Sequence, residues 1–250
     1  MQRDIEKYTQ DYLSHSYDFE TIMVSFRRKK VLEFLQTFKA RRVLEIGCGQ
    51  DSIMNYYKEF ESFSIVEPSH TFATQAKQDC KDLHNVVVIN DFVENRLDEL
   101  REQKFDFIIL SSLLHEVSNP KAFLQDIFSL CDSQTILHIN VPNAHSFHLL
   151  WAYEGGIIET LGEVTKEARA FQRHTAFTLQ SLVEFVSEVC SKRIDIVDKG
   201  SYFIKPFNHK KMSECIQQGI IDEALLQGLD KMTEYCPNLG AEIFVNCQVK

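Results

Sequence analysis

No Cys-x-x-Cys pair occurs in this 250-residue chain, although it holds seven cysteines, at 48, 80, 131, 190, 215, 236 and 247. Their odd number and scattered spacing argue against both a disulfide framework and a structural zinc site, so no metal is expected. Reduced thiols in a cytoplasmic protein fit that usage best. No apolar run approaches membrane-spanning length, and Met1-Gln2-Arg3-Asp4-Ile5-Glu6-Lys7 lacks the apolar stretch of a signal peptide, so no membrane partner is expected. Basic charge is in deficit: 27 Lys and Arg stand against 36 Asp and Glu, a formal net charge of −9. Such a surface repels phosphate backbones, which argues against a nucleic-acid partner. The one dense basic run, Arg27-Arg28-Lys29-Lys30, reads as the solvated face of a helix, with phosphate binding as the alternative. The linkers are not rich in glycine or proline, and there is no repeat or low-complexity stretch. What remains is an ordinary globular composition, 44% apolar and 25% charged, long enough for one large domain.

Residues 1–40 read as an N-terminal helical cap. Ile22, Phe26, Val31, Phe34, Leu35 and Phe38 recur at three- and four-residue steps. Tyr8, Tyr12, Tyr17 and Phe19 precede them, either to pack this segment on the core or to cover a pocket. Residues 41–250 then alternate strand, loop and helix. The predicted strands are 43–46, 62–66, 85–89, 105–110 and 135–141, with further strands near 194–197 and 241–247 and an extended segment at 201–205. Short continuous apolar strands alternating with helices predict an α/β fold, a mostly parallel sheet covered on both faces. Residues 142–178 break the rhythm and are too long for a simple loop, so a helical insert over the active face is expected there.

In such sheets the ligand lies beyond the carboxyl ends of the strands. Strand one ends in Glu45-Ile46-Gly47-Cys48-Gly49. A dinucleotide fingerprint needs a third glycine three residues on, and Ser52 stands there instead. Glu67-Pro68 closes strand two, and its carboxylate suits a pair of ribose hydroxyls. Asp91-Phe92 closes strand three, an acid for an exocyclic amine beside a ring for a base face. Ser111-Ser112-Leu113-Leu114-His115-Glu116-Val117 follows strand four.

Taken together, Glu-x-Gly-x-Gly, the two acids one βα unit apart and the Leu-x-His-x-Val segment make residues 42–141 resemble the class I S-adenosylmethionine-dependent methyltransferases. The resemblance implies a Rossmann-like fold of seven strands. It implies S-adenosylmethionine as cofactor, with S-adenosylhomocysteine as product, held by Glu45, Gly47, Cys48, Gly49, Glu67, Pro68, Asp91, Phe92, Ser111 and Ser112. The segment Val141–His148, with Arg173-His174, Lys205-Pro206 and Gly240–Ile243, is similar to a bacterial subgroup of capsule and surface-polysaccharide biosynthesis that methylates small polar precursors.

The chemistry implied is in-line displacement, in which the protein aligns the nucleophile and excludes water. A hydroxyl acceptor gains from a general base, and an imidazole titrates close to working pH. His115 is the first candidate, with His174 and His145 from the insert second; each has a structural role as its alternative. Tyr17, Asn143, His148, Arg173 and Lys205 are candidate contacts to a small polar acceptor, Lys205 to an anionic group. N-methylation of a small amine and a catalytically silent cofactor-binding subunit are the alternatives. A homodimer is left open.

Overall fold

Each central strand places alternate side chains on opposite faces of the sheet, and here both faces are apolar. In the computed structural model, which describes residues 4–14, 18–162, 174–190 and 193–250, five such runs form β1 (Arg42–Ile46), β2 (Ser62–Val66), β3 (Val86–Ile89), β4 (Phe107–Ser111) and β5 (Ile136–Pro142). With β6 (Ile194–Tyr202) and β7 (Glu242–Val249) they make one seven-stranded sheet, ordered β3-β2-β1-β4-β5-β7-β6. The first five strands are parallel; β7 runs antiparallel to both β5 and β6. Strand order reverses between β1 and β4, so a crevice opens beyond their carboxyl ends.

Val43, Phe63, Phe107 and Ile109 point into one apolar layer, and Leu44, Ile46, Ile108 and Leu110 into the other. Phe19, Met23, Phe26, Val31, Phe34 and Leu35 of α2 (Asp18–Thr37) fill the first layer. The cap expected at 1–40 is thus two helices, α1 (Ile5–Ser14) and α2, and α2 is a structural layer of the sheet. Burying each large apolar side chain there contributes roughly 1.5–3 kcal/mol. The opposite layer is filled by Phe123, Leu124 and Ile127 of α3 (Pro120–Phe128) and by Leu182 and Val186 of α5 (Leu179–Val189).

Two expectations change. The strand near 194–197 and the extended segment at 201–205 are largely one strand, β6, interrupted by a bulge between Ile196 and Asp198. As an edge strand it exposes Asp195, Asp198 and Lys199, so its apolar alternation is broken in the sequence. The insert leaves and rejoins the sheet at one place, where Asn143 and Phe177 form a bridge and Ala144 N–H donates to Phe177 O at 2.8 Å. Its first element is α4 (Phe147–Glu154).

Candidate active site

The glycine loop is shaped by its acid. Gly47 and Gly49 adopt φ of +77° and +59°, a region costly for a residue with a Cβ. The buried Glu45 side chain turns back beneath the loop and accepts from Ser52 Oγ and from Ile53 N–H at 3.1 Å. Ser52 Oγ in turn accepts from Met54 N–H at 3.2 Å, capping the turn Ile53–Asn55. The residue that takes the place of a third glycine is therefore the partner of the acid that sets the loop. Burial raises the Glu45 carboxyl to about 7, against the lowering effect of these hydrogen bonds. Cys48 is buried beside two carboxylates, and burial first, then those charges, push its thiol far up, so it is no nucleophile.

Glu67 binds the loop to β2. Its Oε2 accepts from Gly49 N–H at 3.1 Å and its Oε1 from Ser69 N–H at 2.8 Å, while Gly47 N–H donates to Val66 O. Asp91 behaves differently from its expected role. Its carboxylate accepts from Asn95 Nδ2 (2.7 Å), Phe92 N–H (2.8 Å) and Arg96 Nε (2.8 Å), and these partners, Asn95 foremost, hold its carboxyl below the usual range. It braces the turn Val93–Asn95, and it is Phe92, Val93 and Glu94 that reach the cavity wall.

At the end of β4, Ser112 takes a left-handed conformation (φ 54°) and donates its N–H to Asn140 O, which turns the chain inward. The next turn, Leu114–Glu116, buries His115, whose Nε2 lies 3.6 Å from Glu116 Oε1. His115 O accepts from His174 N–H (2.8 Å) and Thr175 N–H (3.2 Å), so the returning end of the insert is stitched to this turn. His115 and His174 both line the cavity; His145 is exposed and stands outside its wall, against Gly162.

The insert residues divide similarly. The Asn143 side chain is committed to structure: Nδ2 donates to Asn238 O and Gly240 O, and Oδ1 accepts from His145 N–H. His148 lies on the cavity wall, and its imidazole is pushed down to about 2 by burial first and then by the nearby Lys205 and His209. Lys205 is only 7% exposed and also faces the cavity. Tyr17 and Arg173 lie outside the described residues.

A buried polar network went unseen in the sequence. Arg27 of α2 grips Glu242 of β7 side-on: Nε is 3.0 Å from both carboxylate oxygens, and Nη2 meets Oε1. Glu242 Oε2 also accepts from Tyr202 OH and from Asn140 Nδ2 (2.9 Å). Asn140 Oδ1 then faces His138 Nε2 at 3.2 Å, and His138 Nδ1 meets the Asn246 amide at 2.7 Å. Burial works to raise the Glu242 carboxyl, but the Arg27 charge and the three donors win and lower it. Burial drops His138 to about 4, so the ring is neutral. The basic run around Arg27 is accordingly only partly a solvated face: Lys29 is exposed and pairs with Asp230, while the half-buried Arg28 and Lys30 pair with Asp51 and Glu33. The available signal was a lone acid, Glu242, inside an apolar strand, together with His138 and Asn140 on alternate positions of another.

The glycine loop, Glu67, Pro68, Phe92, Ser111, Ser112, His115, His148, His174, Lys205, Arg27 and Glu242 all border a single cavity of about 920 Å³, within the size range of small-molecule sites. Among the described residues no group of three His, Cys, Asp or Glu is placed to hold a metal ion, and no helix is long and apolar enough to cross a membrane. Residues 19–194 match the family model described as a methyltransferase domain. The chain belongs to the methyltransferase-domain family. No curated protein matches this methyltransferase in sequence. Among solved structures it is similar to the plantazolicin methyltransferase BamL, crystallised with a triazolic desmethylPZN analog and SAH, at 17% identity and a TM-score of 0.59 over 97% of this chain and 94% of that one. It is also similar to a SAM dependent methyltransferase from Archaeoglobus fulgidus (16%, TM-score 0.53, 93% and 99%) and to the N-methyltransferase NodS from Bradyrhizobium japonicum, in complex with SAH (8%, 0.51, 88% and 86%). At these identities the likeness is one of fold.

Proposed function

We propose that this methyltransferase transfers a methyl group from S-adenosylmethionine to a small polar acceptor, at oxygen. The observation that carries the reading is the shared cavity: the glycine loop and Glu67 open onto the same space as His115 and the insert. The donor set suits the cofactor. A Cβ built on Gly49 meets nothing within 4 Å, so the loop backbone presents open space to a ligand. Glu67 offers a buried carboxylate for ribose hydroxyls, and Phe92 and Val93 offer an apolar face for a base. When bound, S-adenosylmethionine supplies an electrophilic methyl on a sulfonium. The chain's own residues then align the acceptor and keep water out. Glu116 Oε1, 3.6 Å from His115 Nε2, is placed to stabilise the imidazolium that forms when His115 takes the acceptor proton. A capsule or surface-polysaccharide precursor is the acceptor class favoured by the sequence pattern at 141–148.

Transfer to an amine is the second reading, favoured by the Glu116 and Glu20 carboxylates on the wall. A labelled-methyl transfer screen over hydroxylated and amine metabolites tests both. For a hydroxyl acceptor, His115→Ala is expected to lower kcat by about 10²–10⁴ while cofactor binding persists. A loss that vanishes at high pH points to an amine instead, since the free amine needs no base. Absence of transfer to every acceptor, with cofactor bound, overturns the enzymatic reading in favour of a regulatory one.

A further inference from the structure

We propose that the methyl acceptor carries a ring, of a saccharide or of an aromatic group, that stacks on Trp151 at the rim of the cavity. This rests on the reading of that cavity as the acceptor's site. Trp151 is the single tryptophan of the chain, and it is 53% exposed. Exposure of one apolar side chain is ordinary by itself; the setting of this one is not. Trp151 lies in the middle of α4, and both flanks of that helix line the cavity: His148 and Leu149 in its first turn, Ile158, Thr160 and Leu161 just after it. The chain turns back there because Ile157 N–H donates to Ala152 O at 2.8 Å. Trp151 stands one helical turn on from His148, and residues so spaced are neighbours on a helix surface. Its ring also packs on that of Phe207, with centroids 5.5 Å apart, and Asn208 and His209, which follow Phe207, belong to the wall. The indole thus joins the insert to the segment after β6 at the edge of the cavity.

The platform is held in place from both sides. The Phe147 ring lies 5.9 Å from the indole at a tilt of 53°, and the Phe207 ring is tilted by 36°. Phe207 packs against the first apolar layer, and Phe147 N–H donates to Leu239 O at 2.9 Å, which pins the first residue of α4. A large aromatic side chain fixed in this way loses little conformational freedom when a ligand settles on it. Next to it the wall offers the polar groups of His148, Thr160 and Asn208. An apolar face edged by polar groups suits a ring whose faces are apolar and whose edge carries oxygen. Such a ring, seated on Trp151, orients the rest of the acceptor into the cavity, where His115 and the glycine loop share the wall.

Because the chain has one tryptophan, indole fluorescence reads this site alone. In the full chain saturated with S-adenosylhomocysteine, the emission should be that of a solvated indole, open to quenching by acrylamide. N-acetylglucosamine, maltose and benzyl alcohol serve as ring probes, and glycerol as a hydroxylated probe without a ring. At least one ring probe should shift the emission saturably and shield it from acrylamide, a saccharide pointing to a carbohydrate acceptor and benzyl alcohol to an aromatic one. Glycerol should do neither. By calorimetry Trp151→Ala should weaken that probe on the order of tenfold, and Trp151→Phe, which keeps a ring, by less. Neither variant should change the affinity for S-adenosylhomocysteine. An indole already shielded from acrylamide, whether by this chain or by a second copy, overturns the proposal. So do ring probes that leave the emission unchanged, that act no differently from glycerol, or that bind Trp151→Ala equally well. Methyl transfer to ringless acceptors by a protein whose Trp151 ignores every probe would sink the platform and leave the transfer reading; ring binding without transfer to any acceptor would do the reverse.

Discussion

Replacing Glu242 with glutamine should be among the most destabilising single changes in this protein. The carboxylate receives Arg27 on both oxygens, Tyr202 OH and Asn140 Nδ2, and its side chain is 4% exposed. Glutamine can still turn its carbonyl to Arg27, but its amide then stands at the second oxygen's place. Tyr202 OH can rotate to accept there; Asn140 Nδ2 cannot, and N–H is driven against N–H. The larger effect is that the Arg27 guanidinium keeps its charge, because its pKa is held well above the ordinary value, and loses its counterion. Removing one partner of a buried pair costs about 3–5 kcal/mol. In a chain of this length that lowers Tm by on the order of 10 °C. Thermal and denaturant unfolding of Glu242→Gln, Arg27→Met and the double variant Arg27→Met/Glu242→Met measure it as a cycle. The double variant should lie within about 1–2 kcal/mol of wild type, far above either single, because no charge is left stranded. A Glu242→Gln protein destabilised by less than about 1 kcal/mol, or a double variant no better than the singles, would refute the reasoning.

Two further outcomes follow from the same geometry. Gly49→Ala should cost only about 1 kcal/mol of stability, from its positive φ, yet weaken S-adenosylhomocysteine binding by about tenfold or more, because the added methyl enters space the loop backbone keeps open; unchanged affinity by calorimetry would contradict this. His138 should remain neutral down to about pH 4, as the Nε2–H tautomer: Asn140 spends its Nδ2 on Tyr202 and Glu242, so its Oδ1 must accept. The Asn246 amide then donates to Nδ1, which also gives its otherwise unpartnered Nδ2 a bond. Because the folded pKa is depressed, the unfolded chain takes up the proton first, so stability falls as pH drops from about 6.5 to 4, by about 3 kcal/mol through this group. Glu45, raised to about 7, acts with the opposite slope between about pH 4.5 and 7. Imidazole nitrogen NMR on labelled protein reads His138 directly, and a ring titrating near pH 6.5 would rule the arrangement out.

The ends of β1 to β5 were legible within one or two residues because parallel strands buried on both faces leave unbroken apolar runs. The position of the glycine loop and of Glu67 followed from those ends. Edge position and a bulge hid β6, whose outward residues are polar. An acid after a strand looks the same whether it lines the cavity, as Glu67 does, or braces the next turn, as Asp91 does. His145 and His148 are three residues apart, and only the start of α4 decides that one is exposed and the other faces the cavity. Arg27 was hardest to read: its partner is 215 residues away, and locally it is one more basic residue in a basic run.

Calorimetric titration of the full chain with S-adenosylhomocysteine and, separately, with NAD tests the central claim most directly. One molecule of S-adenosylhomocysteine should bind per chain, with no uptake of NAD, since Ser52 and Glu45 build a loop unlike a dinucleotide fingerprint. Binding of NAD without binding of S-adenosylhomocysteine would contradict the account.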